Sequence, residues 1–338
     1  MERKYQKSEK IEKISKLFQG SSSNYIFETE LTSTNIEVDF SICILKNELS
    51  YLLKHWRKEE LQATIQKDKI WEKLFQFCSE WKNSKSPLNH HVSDVWFEFD
   101  NHQIIKDLPQ PCFFFSPRTL YRHDRNIKRE YIVSRHPSSS LRNIDWLFNS
   151  ALTILFKKYV SDKLKKNVKT CIEKLPRNGA VFQIGVMMAR NLDRLRICTS
   201  MPIDDYTIYL KAIGWNGSYD HLYYLLQTLK TYVDVVFIDI DVGERIFPKI
   251  GFECCYREDN NVKPRLKKFM NYLMEKHLCI KQKAEIILSW INNDDNHSND
   301  ICRGNRTKRT LSHIKIVQDS DNSLKAKAYL SLSVLLKS

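Results

Sequence analysis

Basic residues recur at every second position in several short stretches of this 338-residue chain: Arg194-Leu195-Arg196, His313-Ile314-Lys315 and Lys325-Ala326-Lys327-Ala328-Tyr329. In an extended strand, residues two apart share a face. Each stretch therefore sets guanidinium or ammonium groups on one side, joined by a phenol in the last, and apolar side chains on the other. Such a row either meets water or lines a cavity that grips an anion, Arg through a two-pronged donor and Lys as a point charge. Carboxylates and aromatics alternate in the same way elsewhere. Trp96, Glu98 and Asp100 oppose Val95, Phe97 and Phe99; Phe237, Asp239 and Asp241 oppose Val236, Ile238 and Ile240; Lys249 and Glu253 oppose Ile250 and Phe252.

The elements that must position these residues come in pairs. Strand-like runs at 24–30 and 36–44 precede a helical stretch at 51–81, and runs at 94–100 and 111–117 precede another at 143–175. A third pair, 180–188 and 194–201, leads to helices at 204–215 and 219–233; a fourth, 234–242 and 248–257, leads to helices at 265–278 and 281–291. An apolar-alternating hairpin over 309–332 closes the series. Adjacent strands joined by short turns pair antiparallel. Every pair has an apolar face that the amphipathic helices can cover and a polar face that needs a place.

An open sheet would leave the polar face in water, but very large open sheets carry exposed edges. About ten strands closed into a barrel leave a lumen. Unpartnered ammonium groups there would cost several kcal/mol each, so the lumen is wet or holds an anion. The expected fold is α+β, a ten-stranded antiparallel β-barrel with a polar lumen surrounded by helices. The expectation is a single domain over 1–338, with its core at about 24–334 and a mobile loop at 291–309.

Composition narrows the classes. Hydrophobic residues make up 42% and aromatics 12%, enough for a sizeable core, and the net charge of +14 favours anionic partners. Nine Cys without a paired CxxC pattern read as reduced thiols of a cytoplasmic protein. The charged start MERKYQKSEK lacks a secretory h-region, and no run approaches a transmembrane span, so no membrane partner is expected. P-loop, dinucleotide-fold and nucleophile-elbow motifs are absent. His90-His91 read as surface residues, and Asp294, Asp295 and Asp300 fall in a loop-like stretch.

Five strand pairs separated by helices, polar on one face and apolar on the other, resemble the ABBA or PT-barrel prenyltransferases: fungal indole, bacterial aromatic and cyanobactin-type peptide enzymes. The resemblance spans about 24–334 and rests on element order and face chemistry. It implies transfer of an allylic isoprenyl group, from dimethylallyl or geranyl diphosphate, to an aromatic small molecule or a peptide. It places Glu98 of WFEFD at the acceptor. It assigns Arg194, Arg196, Lys249, Lys315, Lys325, Lys327 and Tyr329 to the diphosphate. Trp96, Phe114 and Phe237 would stand in for the family's lumenal tyrosines around the cation. No cofactor is required on this reading; Mg²⁺ is an option that Asp239 and Asp241 could hold, the alternative being that they balance the basic residues. Glu98 could equally be a salt-bridge partner of Arg194 or Arg196.

Two competing readings stand beside this one. A nucleic-acid-binding protein is suggested by the charge and by RGNRTKR (303–309), but it needs an open polar face, and the carboxylates on that face disfavour it. The other is a non-catalytic barrel acting as a scaffold.

Overall fold

The computed structural model describes residues 14–21, 24–35, 37–101, 108–118, 144–156, 160–257, 262–292 and 306–335. Its strands are β1 (Asn24–Glu30), β2 (Asp39–Leu45), β3 (Val92–Phe99), β4 (Cys112–Pro117), β5 (Ala180–Val186), β6 (Leu195–Ser200), β7 (Val235–Val242), β8 (Ile246–Cys255), β9 (Arg306–Gln318) and β10 (Leu324–Leu335). Each pairs antiparallel with its neighbours in sequence, and β1 closes on β10 from Asn24↔Ser333 to Glu30↔Lys327. The result is a closed ten-stranded barrel, the PT-barrel arrangement anticipated from the element order.

The helices between the pairs are α1 (Leu49–Trp56), α2 (Glu59–Lys67), α3 (Lys69–Lys82), α4 (Pro87–His91), α5 (Thr153–Phe156), α6 (Asp162–Glu173), α7 (Asp205–Ile213), α8 (Tyr219–Leu229), α9 (Val262–Glu275) and α10 (Lys281–Asn292). None is long and apolar enough to cross a membrane among the described residues. The main core lies between barrel and helices. Strand residues such as Ile42, Phe97, Phe113, Ile238, Phe252 and Ile316 pack there with Trp56, Trp71, Phe77, Tyr209 and Phe269 of the helices. The buried indoles keep their N–H groups satisfied: Trp71 donates to the Pro109 carbonyl at 2.9 Å and Trp81 to that of Val92 at 3.0 Å. With the apolar faces committed outward, the alternate side chains of every strand must point into the lumen.

The structure differs from the sequence expectation in several places. The stretch 51–81 forms α1, α2 and α3 in place of one continuous helical run. Its clearest break is Asp68, whose extended backbone ends α2 while its side chain accepts from the N–H groups of Ile70 (2.8 Å) and Trp71 (3.1 Å) to start α3. The cap wins because it supplies an acceptor for donors that the helix start leaves unpaired. Of the expected loop 291–309, residues 293–305, with Asp294, Asp295 and Asp300, lie outside the described residues, whereas 291–292 end α10 and 306–309 begin β9. Strict alternation also fails at bulges. Between Tyr329 and Leu330 the register skips Ser312, and between Val181 and Gln183 it skips Phe182. Each bulge turns two consecutive residues, Ser312 with His313 and Phe182 with Gln183, toward the lumen.

Asp68 also accepts from the Gln110 side-chain amide at 2.7 Å, tying α3 to the chain entering β4. Asp68→Ala is expected to lower stability by about 1–2 kcal/mol, the cost of a lost helix cap. Urea unfolding followed by circular dichroism measures it; an unchanged midpoint would mean that the cap is replaced by water.

Candidate active site

The lumen holds a cavity of about 510 Å³. Its wall is aromatic at Trp96, Phe114, Phe182 and Phe237, basic at Arg196 and Lys315, acidic at Asp94, Glu98 and Glu253, and carries His313 and Tyr329, whose rings stack at 4.1 Å. The cavity reaches the rim formed by Asn24, Leu45, Asp94, Ser116 and Ser200. Two glycines shape it. A Cβ on Gly185 would overlap the Phe114 ring, which packs against that backbone. A Cβ on Gly251 would overlap Asp239 Oδ1 and stand 2.6 Å from Lys315 Cε, so the missing side chain is the space in which those two meet.

The opposite end of the lumen is closed by the β5–β6 connection. Met187 is fully buried against Cys112 and Phe114, and Ala189 and Leu192 pack on the same group together with Trp96. This apolar cluster is separate from the core outside the barrel. A tight turn over Met188–Arg190, ended by Asn191 in the left-handed region at φ 51°, aims Arg190 inward. Its guanidinium donates to Glu98 at 2.9 Å and to both oxygens of Asp100 at 2.9 and 2.5 Å.

From there a belt of opposite charges follows the wall. Arg196 Nε lies 2.9 Å from Asp241 and 3.3 Å from Asp239. Lys315 reaches Asp239 at 2.7 Å and Glu253 at 3.5 Å. Lys327 pairs with Glu28. Lys315 and Lys327 are direct cross-strand partners, a like-charge pair that is unfavourable alone and is relieved by carboxylates on either side.

Burial and pairing pull these groups in different directions. Burial raises the carboxyls of Glu28 and Asp239, but Lys327 outweighs it at the first, and Lys315 and Arg196 outweigh it at the second, so both end below the usual range. For Glu98, burial wins over Arg190 and the group titrates above the usual range. Burial, reinforced by the nearby Glu28, pushes Asp39 up to about 6. Burial lowers His313 and raises the Tyr329 phenol.

The structure brings Glu98, Trp96, Phe237, Arg196, Lys315 and Tyr329 to one cavity, as their alternation predicted, and Phe114, from a run aromatic on both faces, joins them. It separates others from it. Lys249 and Lys325, assigned to the diphosphate on sequence, sit half-exposed near the β9–β10 turn and share Asp319 at 2.8 and 3.2 Å. They keep the inward register but lie past the level at which the barrel encloses its contents. Arg194 precedes β6 and lays its guanidinium over the Phe247 ring, 4.6 Å from the centroid and 3.7 Å from Asp241. Lys327 faces inward but is occupied by Glu28 below the cavity. Asp239 and Asp241, the Mg²⁺ candidates, are ion-paired, and no group of three or more metal-ligating side chains occurs among the described residues. Glu98 takes neither Arg194 nor Arg196 as its ion-pair partner but Arg190, which sequence reasoning missed because it lies in a loop outside any alternation. Glu28 was missed because apolar and polar residues mix on both faces of β1: Ile26 lines the lumen while Tyr25 and Phe27 pack outside.

The fold is similar to three solved structures. The 5-dimethylallyltryptophan synthase from Streptomyces coelicolor is 8% identical over 95% of this chain and 91% of that one, with a TM-score of 0.49. A structure of the Streptomyces coelicolor synthase in complex with DMASPP and Trp is 9% identical over 91% and 78%, at 0.47. AnaPT from Neosartorya fischeri is 11% identical over 93% and 77%, at 0.43. No protein-family model and no curated protein matches the sequence.

Gly251→Ala is expected to force Asp239 and Lys315 apart and to cost about 1–3 kcal/mol, the usual penalty of overpacking. Chemical denaturation checks it; a stability equal to wild type would show that the ion pair relocates freely. Asp39 gives a pH signature. A folded-state value of about 6, above that of an exposed Asp, means that the folded chain binds the extra proton first, so this group costs stability above pH 6 and stops costing it as pH falls below about 4. Asp39→Asn should therefore stabilise the fold at pH 8 by about 1 kcal/mol, with the gain vanishing near pH 4. A gain of the same size at both pH values would remove the titration as its cause.

Proposed function

We propose that the chain transfers an allylic isoprenyl group, dimethylallyl or geranyl, from its diphosphate to an aromatic acceptor held in the lumen. The acceptor is an indole or phenol, free or on a peptide. The observation that carries this reading is that Arg196, Lys315 and Tyr329 face the same 510 Å³ cavity as Glu98 and the aromatic wall. Ionisation breaks the allylic C–O bond and leaves its electron pair on the diphosphate. Cationic donors aimed at the leaving oxygens stabilise the charge that grows there. Phe114, Phe182, Phe237 and Trp96 offer ring faces to the allyl cation and exclude water that would quench it. The acceptor ring forms the new bond to the allylic carbon, and Glu98 accepts the acceptor's hydrogen bond and then the displaced proton.

The basic groups are already paired, which suits this role in one respect: a buried cation without a partner would be far costlier to hold ready. Arg196 engages its carboxylates through Nε and Nη2, so its Nη1 remains for a ligand, and Lys315 has three N–H donors for two carboxylates. Arg194, Arg196 and Lys315 together offset Asp239, Asp241 and Glu253, so Mg²⁺ would enter with the diphosphate and offset its charge. The same balance favours a second reading, a barrel that binds a ligand without turning it over. The nucleic-acid reading loses the open polar sheet face that it requires, since the closed barrel turns the polar faces inward.

Incubation with dimethylallyl or geranyl diphosphate and a panel of Trp- and Tyr-containing acceptors, with Mg²⁺ or EDTA, is expected to give the isoprenyl mass gain. Lys315→Ala and Arg196→Ala should each lower kcat/KM by about 10²–10³-fold, the scale of losing one oxyanion donor. Glu98→Gln should lower kcat. Wild-type rates in the two basic variants, checked for intact melting, would remove the assignment; no transfer from any donor would leave the non-catalytic barrel.

A further inference from the structure

Asp94 lies on β3 at the open rim of the lumen, away from the charge belt, and its carboxylate is held by neutral donors only. Ser93 Oγ donates to Oδ2 at 2.6 Å; Ser116 Oγ and the Trp96 indole N–H donate to Oδ1 at 2.7 and 2.9 Å. No basic side chain pairs with it among the described residues. Every other acidic group at the cavity wall has a cation within 4 Å: Glu98 has Arg190, and Glu253 has Lys315. Asp94 is thus a charge fixed in direction by three hydrogen bonds, left uncompensated, and set beside an aromatic-walled cavity. The bonding is economical for this purpose, because neutral donors orient a carboxylate without cancelling its field. Below it, Trp96, Phe114, Phe182 and Phe237 provide ring faces, which attract both a flat apolar body and a cation.

We propose that the acceptor carries a positively charged ammonium or guanidinium group, which Asp94 binds at the rim while the aromatic part of the molecule descends into the lumen. This rests on reading the lumen as an acceptor site and is independent of whether group transfer follows. It orients the acceptor: a cation anchored at the rim points the opposite end of the molecule toward Glu98, four residues further along β3 on the same face. It also separates the charges by level, cation recognition at the mouth and anion recognition at Arg196 and Lys315 deeper in.

The test is binding without any diphosphate, by isothermal titration of wild-type protein with three probes of one ring system: tryptamine, indole and indole-3-propionate. Tryptamine is expected to bind about tenfold or more tighter than indole-3-propionate, the scale of one charge-assisted contact, and to weaken as salt rises. Asp94→Asn, which can keep an acceptor oxygen between the serines but loses the charge, should remove most of that difference and leave indole unchanged. Indole-3-propionate binding as well as tryptamine, a wild-type preference that survives Asp94→Asn, or no tryptamine binding at millimolar concentration each overturns the proposal. The wild-type probe series stands if the variant misfolds. A tryptamine preference in a protein that transfers no prenyl group would support the acceptor site while sinking the transferase reading.

Discussion

A closed barrel has no solvent face to spare for its polar side, and that constraint governs the rest. Ten strands whose outer alternates are sealed under helices must send their inner alternates into a space of limited volume. Arg190, Arg196, Lys315 and Lys327 meet there with Glu28, Glu98, Asp100, Asp239, Asp241 and Glu253. An isolated charge in such a place is costly enough to unfold a domain of ordinary stability. The belt of ion pairs is the solution, and the position of each member follows from which strand can lend the opposite sign within reach.

The belt also explains small features that would otherwise look incidental. Gly251 is where two neighbouring strands' side chains, Asp239 and Lys315, need the volume of a third. The Met187–Leu192 connection does two things at once: its apolar residues seal one end against Phe114 and Trp96, and Arg190 brings the cation that Glu98 and Asp100 require. Burial outweighs pairing at Glu98 and, beside the belt, at Asp39, and both hold their protons more tightly than an exposed carboxyl does. Of the two, Glu98 lines the cavity.

A site assembled this way trades attraction for readiness. Its cations are oriented before any anion arrives, but the carboxylates that orient them also shield them. A carboxylate with no cationic partner among the described residues lies elsewhere, Asp94 on the rim, where three neutral donors hold it in view of the cavity. The lumen is therefore polarised along its axis, and an elongated ligand with unlike ends would have one preferred direction of entry.

Alternation of two was legible in the sequence, and with it the barrel, the helices outside and the inward residues Trp96, Glu98, Arg196, Phe237, Lys315 and Tyr329. That much follows from period alone, because a strand buried on one side writes its facing into every second residue. Height within the barrel has no such record. Lys249 and Lys325 share the inward register with Lys315 yet end half-exposed beside Asp319, because the level of a residue depends on the stagger between strands. Nor could pairing be read, since the partner of Glu98 comes from a loop 92 residues away with no periodic signal. Period determined which side chains enter the lumen; only the tertiary structure decided at what depth they lie and which charges they meet, because depth and pairing arise from strand stagger, bulges and loop insertion.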